Sequence, residues 1–450
     1  MKNSLFALLL VLTTTITCAK QPEPSRTFFN VSVSVADSID QTGDYSGFSF
    51  LIYNRTDPDA AADTMFFDVT DTNGNISGII EIEKEGVYPV QISRNGVNLA
   101  SLRLIIADQD TINLTGEFPE LGKTLEIDSY EARTMKKYDR VNAGFQRTNS
   151  FIMAGRVADS LIYGELEKWS ELFWDVYEEN KGTFASKFAL ESAISLLDRY
   201  NKPQMFNKLN QAYDEELSFG LGVTLGKKYL AEYYGLERAI SYLDSLKSIT
   251  DNDQIVRSVD QALVKINFDS ARVEEAEKLL TAYDKKYNRS EELSFWYKNI
   301  RFELTYLAPG MQIPDFSFET VEGATVSRDS LLGKVYVLDF GLMANQLYQE
   351  QYDESTVIYQ IYAPQGLEYY TIPFDPSANT IIGFFQERTR FWDLADPPSF
   401  DKNQLIDRFN LQFFPSRILV DAEGKIVRKF VGQEFEELIP AITNTLSQTN

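Results

Sequence analysis

The side chains that most enzymes use as nucleophile, base or metal ligand are almost missing from this chain. Its 450 residues include no histidine and one cysteine, Cys18. Without histidine there is no Ser-His-Asp triad, no imidazole base and no zinc site built from histidine and cysteine. A single cysteine permits no internal disulfide bond. We therefore predict no metal site and no cofactor.

Acidic side chains are the remaining source of acid–base chemistry, and the chain has 66 of them. Close pairs such as Asp57 with Asp59 and Glu81 with Glu83 are expected by chance at this number. Their spacing predicts neither a glycosidase pair nor an EF-hand loop. The formal net charge of −23 argues against nucleic acid as a partner.

Two stretches near the C-terminus have the pattern of elements that could position a site. Val335–Tyr348, with the sequence VYVLDFGLMANQLY, starts as an apolar run that predicts a strand buried on both faces. A break at Gly341 follows, and a helix is predicted to begin at Asn345. The second stretch, Phe413–Lys425, predicts a strand at Arg417–Asp421 that a proline precedes.

These stretches resemble the thioredoxin-like fold, in particular its TlpA/ResA and AhpC/TSA branch. Members of that branch carry, in order, G-x-x-x-P-D-F, a hairpin ending in L-x-G-K, a strand ending in D-F, and a cis-proline before a strand that closes on D-x-x-G-K. The matching residues are Gly310, Pro314, Asp315, Phe316, Leu331, Gly333, Lys334, Asp339, Phe340, Pro415, Asp421, Gly424 and Lys425. The resemblance runs from Ala308 to the C-terminus and implies a mixed sheet with helices on both faces.

The redox motif of that family is absent. Redox members carry W-C-x-x-C after the central strand, and its two cysteines correspond to Asn345 and Tyr348 here. Thiol chemistry needs a thiolate at the helix N-terminus, and an asparagine amide cannot supply one. We therefore name no catalytic residue, and we predict that the chain alone performs neither thiol–disulfide exchange nor thiol peroxidase chemistry.

The residues at the degenerate site have structural roles that the sequence favours. Asp339 takes the place of the buried acid that tunes the thiols in thioredoxins, and we expect it to form structural hydrogen bonds instead. Asn345 is predicted to cap the helix that follows it. Pro415 is the candidate cis-proline. The competing functional interpretation is that Asn345, Tyr348 and the loop before Pro415 still form a surface for an extended segment.

The first residues have the pattern of an export signal. Lys2 gives a positive start, and the apolar run Leu5–Leu12 is too short for a membrane span. Cys18 ends a T-I-T-C tetrad that resembles a relaxed bacterial lipobox. We favour lipidation of Cys18, which would anchor the mature chain to a membrane. Cleavage by signal peptidase after Ala19 is the alternative.

The remaining patterns predict a multidomain α+β chain. Its predicted parts are a signal at 1–19, a β-sandwich at 26–120, an α-helical middle at 130–307 and a C-terminal thioredoxin-like α/β domain at 308–450. The β region alternates apolar and polar residues and has a hairpin signal at Asn95–Gly96. It resembles the N-terminal β domain of Bacteroidetes envelope lipoproteins.

The helical middle shows apolar residues at helical spacing, including the run Leu221–Ser245. Its tryptophans, among them Trp169, Trp174 and Trp296, invite a ligand-groove interpretation. Large aromatic side chains are more often part of a hydrophobic core, and we favour a core role for them.

The combined prediction is an exported, periplasmic or outer-membrane-associated protein, lipid-anchored through Cys18. Its redox-inactive thioredoxin-like domain is predicted to bind or scaffold an envelope protein or peptide rather than to act as an enzyme. A thiol oxidoreductase or antioxidant protein of the AhpC/TSA type is the alternative that the fold suggests and the missing cysteines disfavour. A glycan-binding or peptide-binding accessory lipoprotein of nutrient uptake is the other alternative.

Overall fold

The computed structural model describes residues 25–36, 43–54, 63–198, 200–212, 216–250, 252–287, 291–386 and 388–449. The predicted export signal and Cys18 lie outside these ranges. The chain forms two compact units, one ending at Leu217 and the other beginning at Ser218. Of the helices in the described part of the chain, none is both long enough and apolar enough to cross a bilayer.

The first unit begins with two β-sheets that share one hydrophobic core. Its strands are β1 (Ser25–Val35), β2 (Phe48–Asn54), β3 (Asp63–Val69), β4 (Asn75–Ile82), β5 (Gly86–Arg94), β6 (Val97–Ile106), β7 (Thr111–Phe118) and β8 (Glu126–Asp128). Within the described residues, one sheet has the order β4-β1-β7-β8 and the other β3-β2-β5-β6. Phe29, Val31 and Val33 of β1 point into the core because apolar residues alternate along the strand. Asn95 and Gly96, both with positive φ, form the two-residue turn between β5 and β6.

Helices complete the first unit. They are α1 (Leu121–Thr124), α2 (Tyr130–Met153), α3 (Asp159–Glu179), α4 (Ser186–Asp198) and α5 (Lys202–Gln211). The buried Glu131 in the first turn of α2 accepts hydrogen bonds from the backbone N–H groups of Phe184, at 2.8 Å, and Ala185, at 2.7 Å. These donors lie just before α4, so one carboxylate connects the starts of two helices.

The second unit also begins with helices, and α6 (Glu216–Leu221) contains the division between the units. A π-helical turn, Gly222–Gly226, leads into α7 (Lys227–Tyr234), α8 (Leu236–Ser248), α9 (Asp253–Asp269), α10 (Val273–Tyr287) and α11 (Glu291–Tyr306). The helical pattern over Leu221–Ser245 is interrupted at Gly235, whose φ of 87° lies in the region that glycine adopts without steric cost. The helices of the predicted middle domain thus fall in both units, and its boundaries stay a prediction.

The rest of the second unit is a mixed sheet with helices. Its strands are β9 (Ser317–Glu319), β10 (Thr325–Ser327), β11 (Val335–Gly341), β12 (Leu367–Pro373), β13 (Asp393–Leu394), β14 (Ser416–Val420) and β15 (Ile426–Val431). Its helices are α12 (Gln346–Tyr362), α13 (Ala378–Gln386), α14 (Lys402–Phe409) and α15 (Leu438–Thr449), and a 3-10 turn, Gly432–Glu437, precedes α15. The main sheet, within the described residues, has the order β13-β12-β11-β14-β15. β11 runs parallel to β12 and antiparallel to β14.

Strand β11 lies at the middle of this sheet and is buried along its whole length. Tyr336, Leu338 and Phe340 pack into a core on one face, while Val335 and Val337 pack into a second core on the other. This explains why the strand has apolar residues at consecutive positions rather than at alternating ones. The polar residue that interrupts the run, at position 339, therefore has no route to solvent.

Candidate functional site

The position of the first motif cysteine is occupied by a helix cap. Asn345 has extended backbone angles, and its side-chain oxygen accepts a hydrogen bond of 3.2 Å from the backbone N–H of Tyr348. This bond satisfies one of the free N–H groups at the start of α12. The amide side chain is thus held at the helix N-terminus, where it offers neither a thiol nor a titratable group.

The position of the second cysteine is occupied by a core side chain. Tyr348 is fully buried and packs against Tyr352 and Phe384. Its hydroxyl lies 3.4 Å from the hydroxyl of Thr371. Burial, and the nearby carboxylate of Asp339, raise the pKa of Tyr348 well above its ordinary value. Tyr348 is therefore a neutral phenol inside the domain.

Gly341 makes room for the ring of Tyr348. A Cβ atom added at Gly341 would lie 2.3 Å from Cε2 of that ring, and the whole near edge of the ring would be within 3 Å. Any other residue at Gly341 would force the tyrosine out of the core. The glycine that ends β11 is thus required by close packing rather than by its backbone angles.

A buried ion pair lies behind the two motif positions. Asp339 and Arg417 are opposite each other on β11 and β14, and Nε of Arg417 is 3.1 Å from Oδ1 of Asp339. Both side chains are only 1% exposed. Burial raises the pKa of Asp339, although the Arg417 charge and the hydroxyls of Tyr348, Thr371 and Tyr369 act in the opposite direction. Because arginine keeps its proton, Asp339 supplies the negative charge that balances it.

Arg417 makes further contacts that fix its position. Its Nε donates to the hydroxyl of Tyr369 at 3.2 Å, its Nη1 donates to Oε1 of Gln351 at 2.7 Å, and its guanidinium lies 4.4 Å from the ring centre of Phe435. We predicted structural hydrogen bonds for Asp339 but did not predict Arg417 as its partner. The sequence did contain a sign of this pairing, because Arg417 is a lone charged residue between Pro415 and the apolar residues Ile418, Leu419 and Val420.

The loop between β11 and α12 is held by a carboxylate that the sequence interpretation missed. The buried Asp375 follows β12 and accepts hydrogen bonds from the backbone N–H groups of Met343, at 2.9 Å, and Ala344, at 3.2 Å. Nζ of Lys402 in turn donates to the backbone carbonyl of Asp375. The loop before α12 is thus fixed by the carboxylate of Asp375, which Lys402 contacts in turn.

Pro415 lies beside this loop, and the peptide bond between Phe414 and Pro415 is cis. Its carbonyl accepts a hydrogen bond of 2.9 Å from the N–H of Gly432. Phe414 packs on Phe374, with ring centres 4.9 Å apart, while Phe413 is 65% exposed. Phe340 near the end of β11 pairs with Ser416 at the start of β14, so Asn345, which follows β11, and Pro415, which precedes β14, lie toward the same end of the sheet.

The tryptophans of the helical region do not form an open aromatic platform. Trp174 is buried, Trp169 packs on Gly144 and Phe145, and Trp296 packs on Tyr283 with ring centres 4.6 Å apart. Among the residues that the structure describes, no group of three or more acidic, cysteine or histidine side chains could hold a metal ion.

Comparisons with known proteins match somewhat less than a third of the chain. No protein-family model matches the chain. The thiol-disulfide oxidoreductase ResA of Bacillus cereus is 24% identical over 129 residues, which are 28% of this chain and 72% of that protein. ResA of Bacillus anthracis is 23% identical over the same shares.

Two solved structures of similar proteins match a comparable share of the chain. The thioredoxin domain of a thiol-disulfide oxidoreductase from Bacteroides vulgatus is 23% identical, covers 30% of this chain and 96% of that one, and has a TM-score of 0.27. A thiol:disulfide interchange protein of the thioredoxin family from Chlorobium tepidum is 19% identical, covers 30% of this chain and 97% of that one, and also has a TM-score of 0.27.

The buried ion pair gives a first testable prediction. Arg417→Met leaves the Asp339 carboxylate buried without a counter-charge, and we expect it to lower the free energy of unfolding by about 3–5 kcal/mol. The double variant Asp339→Leu with Arg417→Met removes both charges, and we expect it to recover most of that loss. Urea unfolding followed by circular dichroism measures both. A double variant no more stable than Arg417→Met would show that shape, rather than charge balance, makes the pair necessary.

Proposed function

Because the C-terminal domain is thioredoxin-like and homologous to the ResA-type thiol-disulfide oxidoreductases, we propose that it keeps the fold of those proteins for binding and has lost their chemistry. The observation that carries the proposal is the occupation of the two thiol positions. Asn345 caps a helix and Tyr348 fills the core, so both have structural roles that leave no nucleophile at the site. A fold kept with such substitutions is consistent with selection for its surface.

The proposed ligand is an extended segment of an envelope protein or peptide. Thioredoxin-like folds commonly bind a substrate backbone beside the cis-proline, and the cis peptide bond between Phe414 and Pro415 supports such a role here. Pro415 itself is buried, while three apolar residues of the segments before Pro415 and around the start of α12, Phe413, Leu347 and Ala344, are exposed or half-buried. We define these three residues as the binding face. Apolar side chains of an extended ligand gain free energy by covering such a surface, roughly in proportion to the area buried.

The proposed location is the cell envelope. It rests on the export pattern of the first residues and on Cys18, which we propose is lipidated and holds the mature chain at a membrane. Lys20–Ser25, which follow Cys18, are polar and include two prolines, which suits a tether between the lipid and the first strand.

The oxidoreductase alternative is tested by turnover. We expect the mature chain from Lys20 onward to reduce insulin and consume peroxide no faster than the uncatalysed reactions, because it contains no thiol. A thioredoxin-family protein with an intact C-x-x-C motif, assayed in parallel, provides the positive control. Turnover by the purified chain in either assay would refute the proposal that thiol chemistry has been lost.

Peptide binding tests the proposed function itself. We expect fluorescently labelled 12-residue peptides, selected on an array of envelope-protein segments, to bind the mature chain in fluorescence anisotropy titrations. Phe413→Asp puts a charge on the binding face, and we expect it to weaken that affinity about tenfold or more. Val357→Asp changes another exposed apolar residue, on α12, and is the control; Val357 is 56% exposed and Phe413 is 65% exposed. An array without any binder, or equal losses in both variants, would count against a peptide-binding role for this face.

Lipidation is tested by mass and by fractionation. The native protein is expected to gain the mass of a diacyl or triacyl modification and to sediment with membranes. We expect Cys18→Ala to lose that mass and to be released. A native product that starts at Lys20 and remains in the soluble fraction would establish cleavage after Ala19 and exclude the anchor.

A further inference from the structure

The binding face is bordered by two backbone segments, and both are connected to the helices that precede the thioredoxin-like domain in the second unit. One segment is the turn Gly432–Glu437. The other is the end of α14, Phe409 and Asn410, which is connected to the binding face through the chain, because Asn410 precedes Phe413 by three residues. Two adjacent residues of β15, Arg428 and Lys429, make the connections. Adjacent residues on a strand project to opposite faces, so each can reach a different segment.

The turn Gly432–Glu437 borders the binding face through its backbone. The N–H of Gly432 donates to the carbonyl of Pro415, and the carbonyl of Gly432 accepts a hydrogen bond of 2.9 Å from Nε2 of Gln351. Oε1 of Gln351 accepts in turn from Arg417. A Cβ atom added at Gly432 would lie 4.0 Å from Leu347, a residue of the binding face. A shift of this turn would therefore move a border of that face.

The acidic side chains of the same turn are held by charges on α9 and β15. Arg428 contacts Glu437 at 2.5 Å and Asp269, at the end of α9, at 3.3 Å. Lys265 of α9 contacts Asp269 at 2.6 Å and Glu434 at 3.2 Å. These five residues form a half-buried cluster of alternating charge, so removal of one member leaves its neighbours incompletely paired.

The second connection is a buried lysine. Nζ of Lys429 lies 2.6 Å from Glu303 of α11, and it donates to the backbone carbonyls of Phe409, at 3.0 Å, and Asn410, at 2.8 Å. Nδ2 of Asn410 also lies within 3.4 Å of Glu303 and of the carbonyl of Asn299. Lys429 thereby satisfies carbonyl groups at the C-terminus of α14, and its position depends on the carboxylate of Glu303.

We propose that Asp269 and Glu303 are positioning residues that hold the two borders of the binding face, so that the face keeps its geometry only while α9 and α11 are docked on β15. This inference rests on the proposed function. It assigns to these helices the regulation of peptide binding. A partner that shifts α9 would alter the position of Gly432, and a partner that shifts α11 would alter the position of Asn410.

The test compares three isosteric variants of the mature chain. Asp269→Asn and Glu303→Gln remove the two positioning charges. Asp260→Asn is the matched control, because Asp260 is also on α9 and is similarly buried: its side chain is 15% exposed and that of Asp269 is 13% exposed. Asp260 pairs with Lys247 and Lys286 of the helical segment and not with β15. One readout is amide hydrogen exchange of peptides covering Phe413–Arg417 and Val431–Glu437. The other is affinity for the array-selected 12-residue peptide.

We expect Asp269→Asn to speed exchange at Val431–Glu437, Glu303→Gln to speed exchange at Phe413–Arg417, and both to weaken peptide affinity about tenfold. Asp260→Asn is expected to change neither the exchange rates nor the peptide affinity, even if it lowers the melting temperature as much as Asp269→Asn and Glu303→Gln do. If Asp269→Asn and Glu303→Gln show the same amide hydrogen exchange at both segments as Asp260→Asn does, the positioning role is overturned. If the wild type binds no peptide, the proposed function fails, and the exchange readout still decides this inference.

A milder variant covers the case in which Glu303→Gln or Asp269→Asn does not fold. Arg428→Lys keeps the positive charge and loses the two-sided contact with Asp269 and Glu437. We expect it to give the same local increase in exchange at Val431–Glu437 with the far-UV spectrum unchanged. A folded Arg428→Lys protein with wild-type exchange at that segment would equally overturn the proposal.

Discussion

A buried charge has to be balanced by another, and this constraint governs the centre of the thioredoxin-like sheet. Asp339 and Arg417 are direct cross-strand neighbours, so their pairing is possible in one register of β11 against β14. A slip by one residue would turn both side chains to the other face and separate them from Tyr369 and Gln351. The ion pair contributes little net stability by itself, because both charges lose their hydration. Its effect is to disfavour every arrangement except the observed one.

The same centre explains how a fold can persist without its chemistry. In a redox protein of this family the buried acid, the helix N-terminus and the cis-proline serve a pair of thiols. Here the acid balances an arginine, the helix N-terminus is capped by Asn345, and Pro415 accepts a hydrogen bond from Gly432. Each of these three groups thus makes a structural contact that requires no cysteine.

Local features of the chain could be predicted from the sequence, and long-range partners could not. The apolar run of β11, the start of α12 after Asn345 and the turn at Asn95–Gly96 follow from residue pattern, because strands, caps and tight turns depend on neighbours in the chain. The partners of Asp339 and of the loop at Met343 lie 78 and 32 residues away. No spacing rule links such positions, so these partners become apparent only when the sheet is assembled.

The break between α7 and α8 at Gly235 was not predicted either. A glycine within an apolar helical pattern is often tolerated, so the sequence did not indicate that the helix ends there.

The close packing of Gly341 against Tyr348 has an evolutionary consequence. An ancestor with cysteine at position 348 would have had a small side chain where an aromatic ring now fills the core. Return to cysteine would leave a cavity of nearly the size of that ring, and truncations of large buried aromatic side chains cost about 3–5 kcal/mol. Stability of that order is a large part of what a domain has. A single Tyr348→Cys substitution is therefore expected to destabilise the domain, so the packing of Tyr348 against Gly341 opposes the return of a thiol to this position.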